Sequence, residues 1–225
     1  MTEETDFQEW NKSKWETKNQ AMYATFEANR WPWYNDSLDP DIGVFINHTT
    51  KGPIEILDLG TCSGSQAIEL SRLGHRVVGT DISVTALHQA ELAAAREKGP
   101  KPLFMLDDIT ESKLPPKMFD LVLDRGCYHS IVSFQHDEYV AGVKRVLKPN
   151  GILLLKTMSS DEQRFIAYDD IGGRQVQMPH HFTQQELQDL LSPHFEVLMI
   201  RDSFFYSNVV DPPARARMTI VCNSK

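Results

Sequence analysis

Short apolar runs along this chain alternate with stretches whose apolar residues return every three or four positions. Residues 7–26 have helical spacing and are rich in large aromatics: Phe7, Trp10, Trp15, Tyr23 and Phe26. "RWPWYNDSLDPD", with its two prolines, then breaks the regularity. From Ile54 onward strand and helix patterns take turns. "IEILDLG", "HRVVGTD", "KPLFMLDD", "FDLVLD" and "GILLLKT" read as five strands. Helical spacing fills residues 64–73, 83–98 and 134–147; Ser83 caps the second of these helices and Gly99-Pro100 stops it. Thr183 and Glu186 form a capping box that opens a further helix. "FEVLMIRDSFFY" and "RARMTIVCN" are joined by "DPPA", too short for a crossover, so they predict an antiparallel hairpin. Five alternations predict an α/β fold with a doubly wound, mostly parallel sheet of seven strands. Residues 159–182 show no period and are long for a connector.

A chain of 225 residues with 41% hydrophobic and 24% charged content suits one globular domain. Its formal net charge of -8 argues against a nucleic-acid backbone as the main partner. Three scattered cysteines and the lack of an apolar leader or spanning run point to a reducing, cytoplasmic setting without membrane contact.

Candidate chemistry gathers at the strand ends, where ligands of doubly wound sheets bind. In "ILDLGTCSGSQAIEL", Gly60 and Gly64 flank Thr61, Cys62 and Ser63. The dinucleotide pattern G-x-G-x-x-G is absent, as is a phosphate loop's Gly-Lys-Ser/Thr. Asp58 would repel pyrophosphate and suits a cationic or amine-bearing ligand. Asp81 ends the second strand, where an acid can accept from ribose hydroxyls. Asp107-Asp108 end the third strand and Asp124 the fourth. Such a set fits an adenosine without phosphates that is joined to a positive charge, a description S-adenosylmethionine (SAM) meets.

Taken in order, "LDLGTCSG", "VVGTDIS", "MLDDIT", "FDLVLDRGCYHSI" and "VLKPNGILLL" resemble the motifs of class I SAM-dependent methyltransferases across residues 54–155. "RWPWYND" and "DRGCYHSI" look most like the small-molecule branch with thiopurine and tellurite-resistance enzymes. The resemblance implies a Rossmann-like core over residues 54–225 under an N-terminal helical lid, residues 1–53. It implies SAM contacts from Asp58, Gly60, Thr61, Cys62, Gly64, Asp81, Ile82, Asp108, Ile109 and Asp124. Asp107 and Asp108 are not separable at this level. Cys62 departs from the usual glycine and reads as a tolerated small residue. His129 is either a general base or a pocket-shaping residue, with Tyr128 as a second catalytic candidate. The N-terminal aromatics are either an ordinary packed helix or a cover whose Trp31, Trp33 and Tyr34 line the acceptor pocket. Residues 159–182 are expected over that pocket, contributing Arg164, Tyr168, His180 and His181 and hinging at Gly172-Gly173. No metal is expected, since adjacent histidines lack ligand spacing. The implied reaction is in-line methyl transfer to an O, N or S atom of a small molecule. A peptide or RNA base as acceptor, or a SAM-binding sensor without catalysis, are the alternatives; oligomeric state is not legible.

Overall fold

The structure is a computed structural model that describes residues 3–25, 30–171 and 174–224, with side chains placed at 11–24, 30–170 and 175–224. The expected hinge at Gly172-Gly173 and the helix end at Phe26 lie outside the described residues, as does the side chain of Arg174. Two helices come first, α1 (Glu3–Thr25) and α2 (Pro40–Thr49). Strands β1 (Glu55–Leu59), β2 (Arg76–Asp81), β3 (Leu103–Leu106), β4 (Phe119–Arg125) and β5 (Leu147–Met158) follow, joined through α3 (Ser65–Arg72), α4 (Val84–Ala95) and α5 (His136–Val146). A short ribbon, β6 (Tyr168–Ile171) and β7 (Arg174–Gln177), precedes α6 (Gln184–Leu191), β8 (Glu196–Phe205) and β9 (Ala214–Cys222). The main sheet has seven strands in the order β3-β2-β1-β4-β5-β9-β8. The first five are mutually parallel, and β9 runs antiparallel to both its neighbours. This is the expected sheet with its C-terminal hairpin.

Alternation along the strands decides which face each side chain serves. Ile56, Leu121, Leu123 and Leu154 pack with Ile42 of α2 and Ala67 and Leu70 of α3. Leu57, Leu59, Val122, Leu153 and Leu155 pack with Tyr139, Val140 and Val143 of α5. By the same parity Asp58 and Lys156 fall on the α2/α3 face and Asp124 on the α5 face. That assignment governs their chemistry.

Two elements are additions to the sequence pattern. Asp39 caps α2 by accepting from Asp41 N (3.1 Å), with Pro40 in the first turn. The β6–β7 ribbon sits inside the aperiodic stretch, pairing Tyr168 with Gln177. Helix α1 is docked at both flanks. Glu16 accepts from Ser83 Oγ (2.6 Å) and Thr85 N (3.2 Å) at the start of α4, and Lys14 pairs with Asp169 on β6. Among the described residues no helix is long and apolar enough to cross a membrane.

Candidate active site

The loop after β1 is built on left-handed backbone. Gly60, Cys62 and Gly64 have φ of 62°, 52° and 77°. A Cβ on Gly60 would stand 2.9 Å from that of Cys127, and one on Gly64 would stand 2.7 Å from the Phe104 ring. The loop is therefore clamped between the β4 turn and β3. Cys62 takes the third left-handed position at a cost of roughly 1–2 kcal/mol. Thr61 N donates to Thr80 O (2.9 Å) and Thr61 Oγ1 to Asp58 (2.6 Å). Cys62 N donates to Asp81 Oδ2 (3.0 Å), which couples the loop to the end of β2. Burial, helped by Asp81, pushes the Cys62 thiol up to about 12, so it is an inert thiol.

Among the described residues the acids at the ends of β1, β2 and β3 form no ion pair. Burial raises Asp58 to about 7, against the Thr61 hydrogen bond. It raises Asp81 to about 6, although the backbone N–H groups of Ser83 (2.9 Å), Cys62 and Ile82 act on the carboxylate. Three donors leave the carboxylate one acceptor position for a hydroxyl. At the end of β3 the two aspartates separate. Asp108 Oδ1 is taken by Thr110 N (3.0 Å) and Thr110 Oγ1 (2.6 Å) as the cap of a 3₁₀ turn. Asp107 accepts from Lys113 N (3.0 Å) through Oδ1, while its Oδ2 is buried without a partner. The unspent acceptor at this strand end belongs to Asp107.

Several expected site residues have other roles. Asp124 is fully buried and accepts from Gly126 N (3.0 Å), Cys127 N (2.7 Å), Tyr128 N (2.9 Å) and Tyr139 Oη (2.6 Å). It shapes the β4 turn from the α5 face, with no capacity for a cofactor, which corrects its assignment as a ligand contact. Tyr128 is also fully buried, stacked on Phe182 at 5.3 Å within the core, and cannot reach an acceptor. Ile109 joins the same core instead of flanking an adenine. Ile82 is half-buried beside Asp81.

His129 is half-buried after β4, and its Nδ1 accepts from Met158 N (3.0 Å). Burial, with His181 and Arg125 nearby, pulls the ring down to about 3. A neutral ring whose Nδ1 lone pair is used carries its proton on Nε2. His129 thus offers a donor and no free lone pair, which removes the general-base role and leaves the pocket role.

On the cover side, Tyr23 Oη lies 3.8 Å from Cys62 Sγ. The Tyr23 ring meets Trp31 at 4.0 Å, and Trp31 meets Trp33 at 5.4 Å. Trp31 is 1% exposed and Trp33 36%. Tyr34 is tied by its carbonyl to Asn208 N (3.0 Å), and its phenol feels Asp36 and Glu69 instead of the loop. Arg164 is bidentate to Glu162, at 2.8 Å from each oxygen, and donates to Pro212 O (2.9 Å), so most of its guanidinium is committed within the protein. Tyr168 is exposed on the ribbon. His180 N donates to His129 O (2.7 Å), which brings residues 180 and 181 beside the β4 turn. His181 Nδ1 is 2.9 Å from Glu162 O, and its Nε2 is buried without a partner. Among the described residues no three potential ligand side chains converge as a metal site.

A buried ionic cluster fixes the cover segment to the sheet. Lys156, 1% exposed, bonds Asp39 (2.6 Å), Asp41 (2.7 Å) and Phe204 O (3.1 Å). Arg125 bonds Asp39 (2.9 Å) and Trp33 O (3.0 Å). Burial acts to raise Asp41, but Lys156 and Ser203 outweigh it and hold it down at about 2. Lys156 escaped sequence reading; the available signal was a lysine ending an otherwise apolar strand, at the parity of Leu154.

A family profile described as a methyltransferase domain matches residues 57–155. The protein-lysine N-methyltransferase efm4 of Schizosaccharomyces pombe is 30% identical over 168 residues, covering 65% of this chain and 69% of that protein. The 2-heptyl-1-hydroxyquinolin-4(1H)-one methyltransferase of Mycobacteroides abscessus is 26% identical over 80% of this chain and 75% of that protein. Among solved structures, a Burkholderia thailandensis 1,6-didemethyltoxoflavin-N1-methyltransferase holding its acceptor and S-adenosylhomocysteine superposes with a TM-score of 0.67 at 19% identity, over 98% of this chain and 90% of that one. That last likeness is one of fold.

Proposed function

We propose a small, planar organic acceptor for this chain, which belongs to the SAM-dependent methyltransferases. The observation that carries the reading is the aromatic cluster Tyr23–Trp31–Trp33, whose tilted rings meet the cofactor loop at Cys62. An aromatic wall that ends in the partly exposed Trp33 fits a flat apolar molecule better than a folded protein surface or a duplex. Two of the similar proteins act on fused heterocycles by their names, which supports the same choice. The finer placement beside thiopurine and tellurite-resistance enzymes belongs to this proposal and rests on "RWPWYND" and "DRGCYHSI".

The strand-end residues fit SAM on their own chemistry. Asp58 is buried and Asp81 half-buried, both raised by desolvation, and Asp107 Oδ2 is an acceptor without a donor. In this reading Asp58, with the loop from Gly60 to Gly64, holds the methionine end. Asp81 holds the ribose, and Asp107 takes the adenine amine, in preference to Asp108. When bound, SAM supplies a methyl group whose bond to sulfur breaks as the bond to the acceptor forms, the electron pair returning to sulfur. The residues of this chain orient the acceptor and exclude water; α1 and the segment 30–39 act as the lid, and residues 159–182 border the acceptor. His129 contributes Nε2–H as a hydrogen-bond donor.

The test is turnover of 2-heptyl-1-hydroxyquinolin-4(1H)-one and other fused N-hydroxy or N–H heterocycles. Equimolar S-adenosylhomocysteine and methylated product from at least one are expected. Turnover confined to lysine peptides would move the chain to the protein-acceptor reading.

A further inference from the structure

Helix α1 carries three lysines, Lys12, Lys14 and Lys18. Lys12 pairs with Glu111 and Lys14 with Asp169. Among the described residues Lys18 has no carboxylate or hydrogen-bond partner. Its ammonium instead lies over two ring faces, Trp15 at 4.4 Å and Trp33 at 5.7 Å. A ring face attracts a cation but takes none of its three N–H donors in an ordinary hydrogen bond. Trp33 is also the exposed end of the tilted aromatic cluster that leads through Trp31 and Tyr23 to Cys62. Lys18 therefore stands at the open end of the aromatic approach. Its positive charge is among those that disfavour protonation of His129. Asp169, the acid whose field reaches Lys18, is bonded to Lys14.

We propose that Lys18 is a specificity-determining residue and that the acceptor this site takes is a planar aromatic anion. The proposal rests on the small-molecule reading above. Charge is divided across the site: Asp58 and Asp81 stand at the strand ends that would hold the cofactor, while the acceptor approach presents a cation with unused donors. Arg125, the other cation near the β4 turn, is consumed by Asp39 and Trp33 O. His129 supplies a second, neutral donor through Nε2, next to Gly126, where a Cβ would come within 3.3 Å of that nitrogen. One charged and one neutral donor beside flat rings match a carboxylate, phenolate, enolate or N-oxide on an aromatic frame. An ammonium group such as a lysine side chain would be repelled. An acceptor that arrives as its anion needs no proton removed, which agrees with a His129 that has no lone pair to offer.

The test uses the enzyme saturated with S-adenosylhomocysteine and two probes, 1-hydroxyquinolin-4(1H)-one and its uncharged methyl ether. Affinities are measured by calorimetry and tryptophan quenching at a pH above the ionisation of the first probe. The anion should bind at least about tenfold more tightly than the ether, the scale of one charge-assisted hydrogen bond. Lys18→Met should abolish that preference, Lys18→Arg should retain it, and both should keep S-adenosylhomocysteine affinity within about twofold, which shows intact folds. Equal binding of the two probes, or a preference that survives in Lys18→Met, overturns the role of Lys18 and leaves the small-molecule reading standing. If neither probe binds and methyl groups appear on protein, the small-molecule reading falls and the proposal falls with it.

Discussion

Asp58 carries the most consequential single charge in the site. It is 3% exposed, Thr61 Oγ1 is its side-chain donor among the described residues, and burial lifts it to about 7. Only the ionised form attracts the cationic end of SAM. In the free protein that form is reached above pH ~7, well above the ordinary carboxylate range. Below that pH, binding must release a proton. SAM affinity should therefore rise with pH, by at most about tenfold per unit, and level off above pH ~7. Folding carries the opposite sign: with a folded value above the unfolded one, this group contributes stability at low pH that is lost as pH rises through about 7. Calorimetry from pH 5.5 to 8.5 in buffers of different ionisation enthalpy reads both the slope and the proton. A flat profile in the wild type, or an unchanged slope in Asp58→Asn, would contradict the assignment.

At the scale of elements, the cover is held by charge buried beneath α2. Asp39 serves three elements at once: it caps α2, pairs with Lys156 of β5 and pairs with Arg125 of β4. Arg125 in turn holds the carbonyl of Trp33. The position of the aromatic cluster therefore follows from the ends of β4 and β5. Removing one member of such a cluster leaves a desolvated charge behind. Lys156→Met should lose about 3–5 kcal/mol of unfolding free energy. Chemical denaturation measures it; a loss below ~1 kcal/mol would mean that water already reaches the cluster.

For the whole molecule, the parallel sheet, its order of helices and the C-terminal hairpin were legible because their signals are local: strand runs, caps and a connection too short to cross over. The loop from Gly60 to Gly64 and the acids at the ends of β1 and β2 stand where the same local signals put them, whereas at the end of β3 only the hydrogen bonds distinguish Asp107 from the Asp108 that the sequence favours. What was not legible depends on parity and on distant partners. Asp124 looks like Asp58 in sequence, yet one residue of strand phase turns it toward Tyr139 and the β4 turn. Tyr128 and Ile109 sit in functional motifs but face the core. Arg164 was available as an anion binder until Glu162, two positions earlier, claimed it. Helix α2 had a readable start at Asp39-Pro40, masked by the prolines around it.

The central claim is methyl transfer from SAM to a small molecule. Its most direct test is incubation of the purified protein with SAM carrying a ¹³C-methyl group and a crude cell extract. The extract is then separated into fractions below about 1 kDa, protein and nucleic acid, and each is examined by mass spectrometry. The account predicts enzyme-dependent label in the low-mass fraction, on an aromatic compound, with matching S-adenosylhomocysteine. Label found only in the protein or nucleic-acid fraction would contradict it.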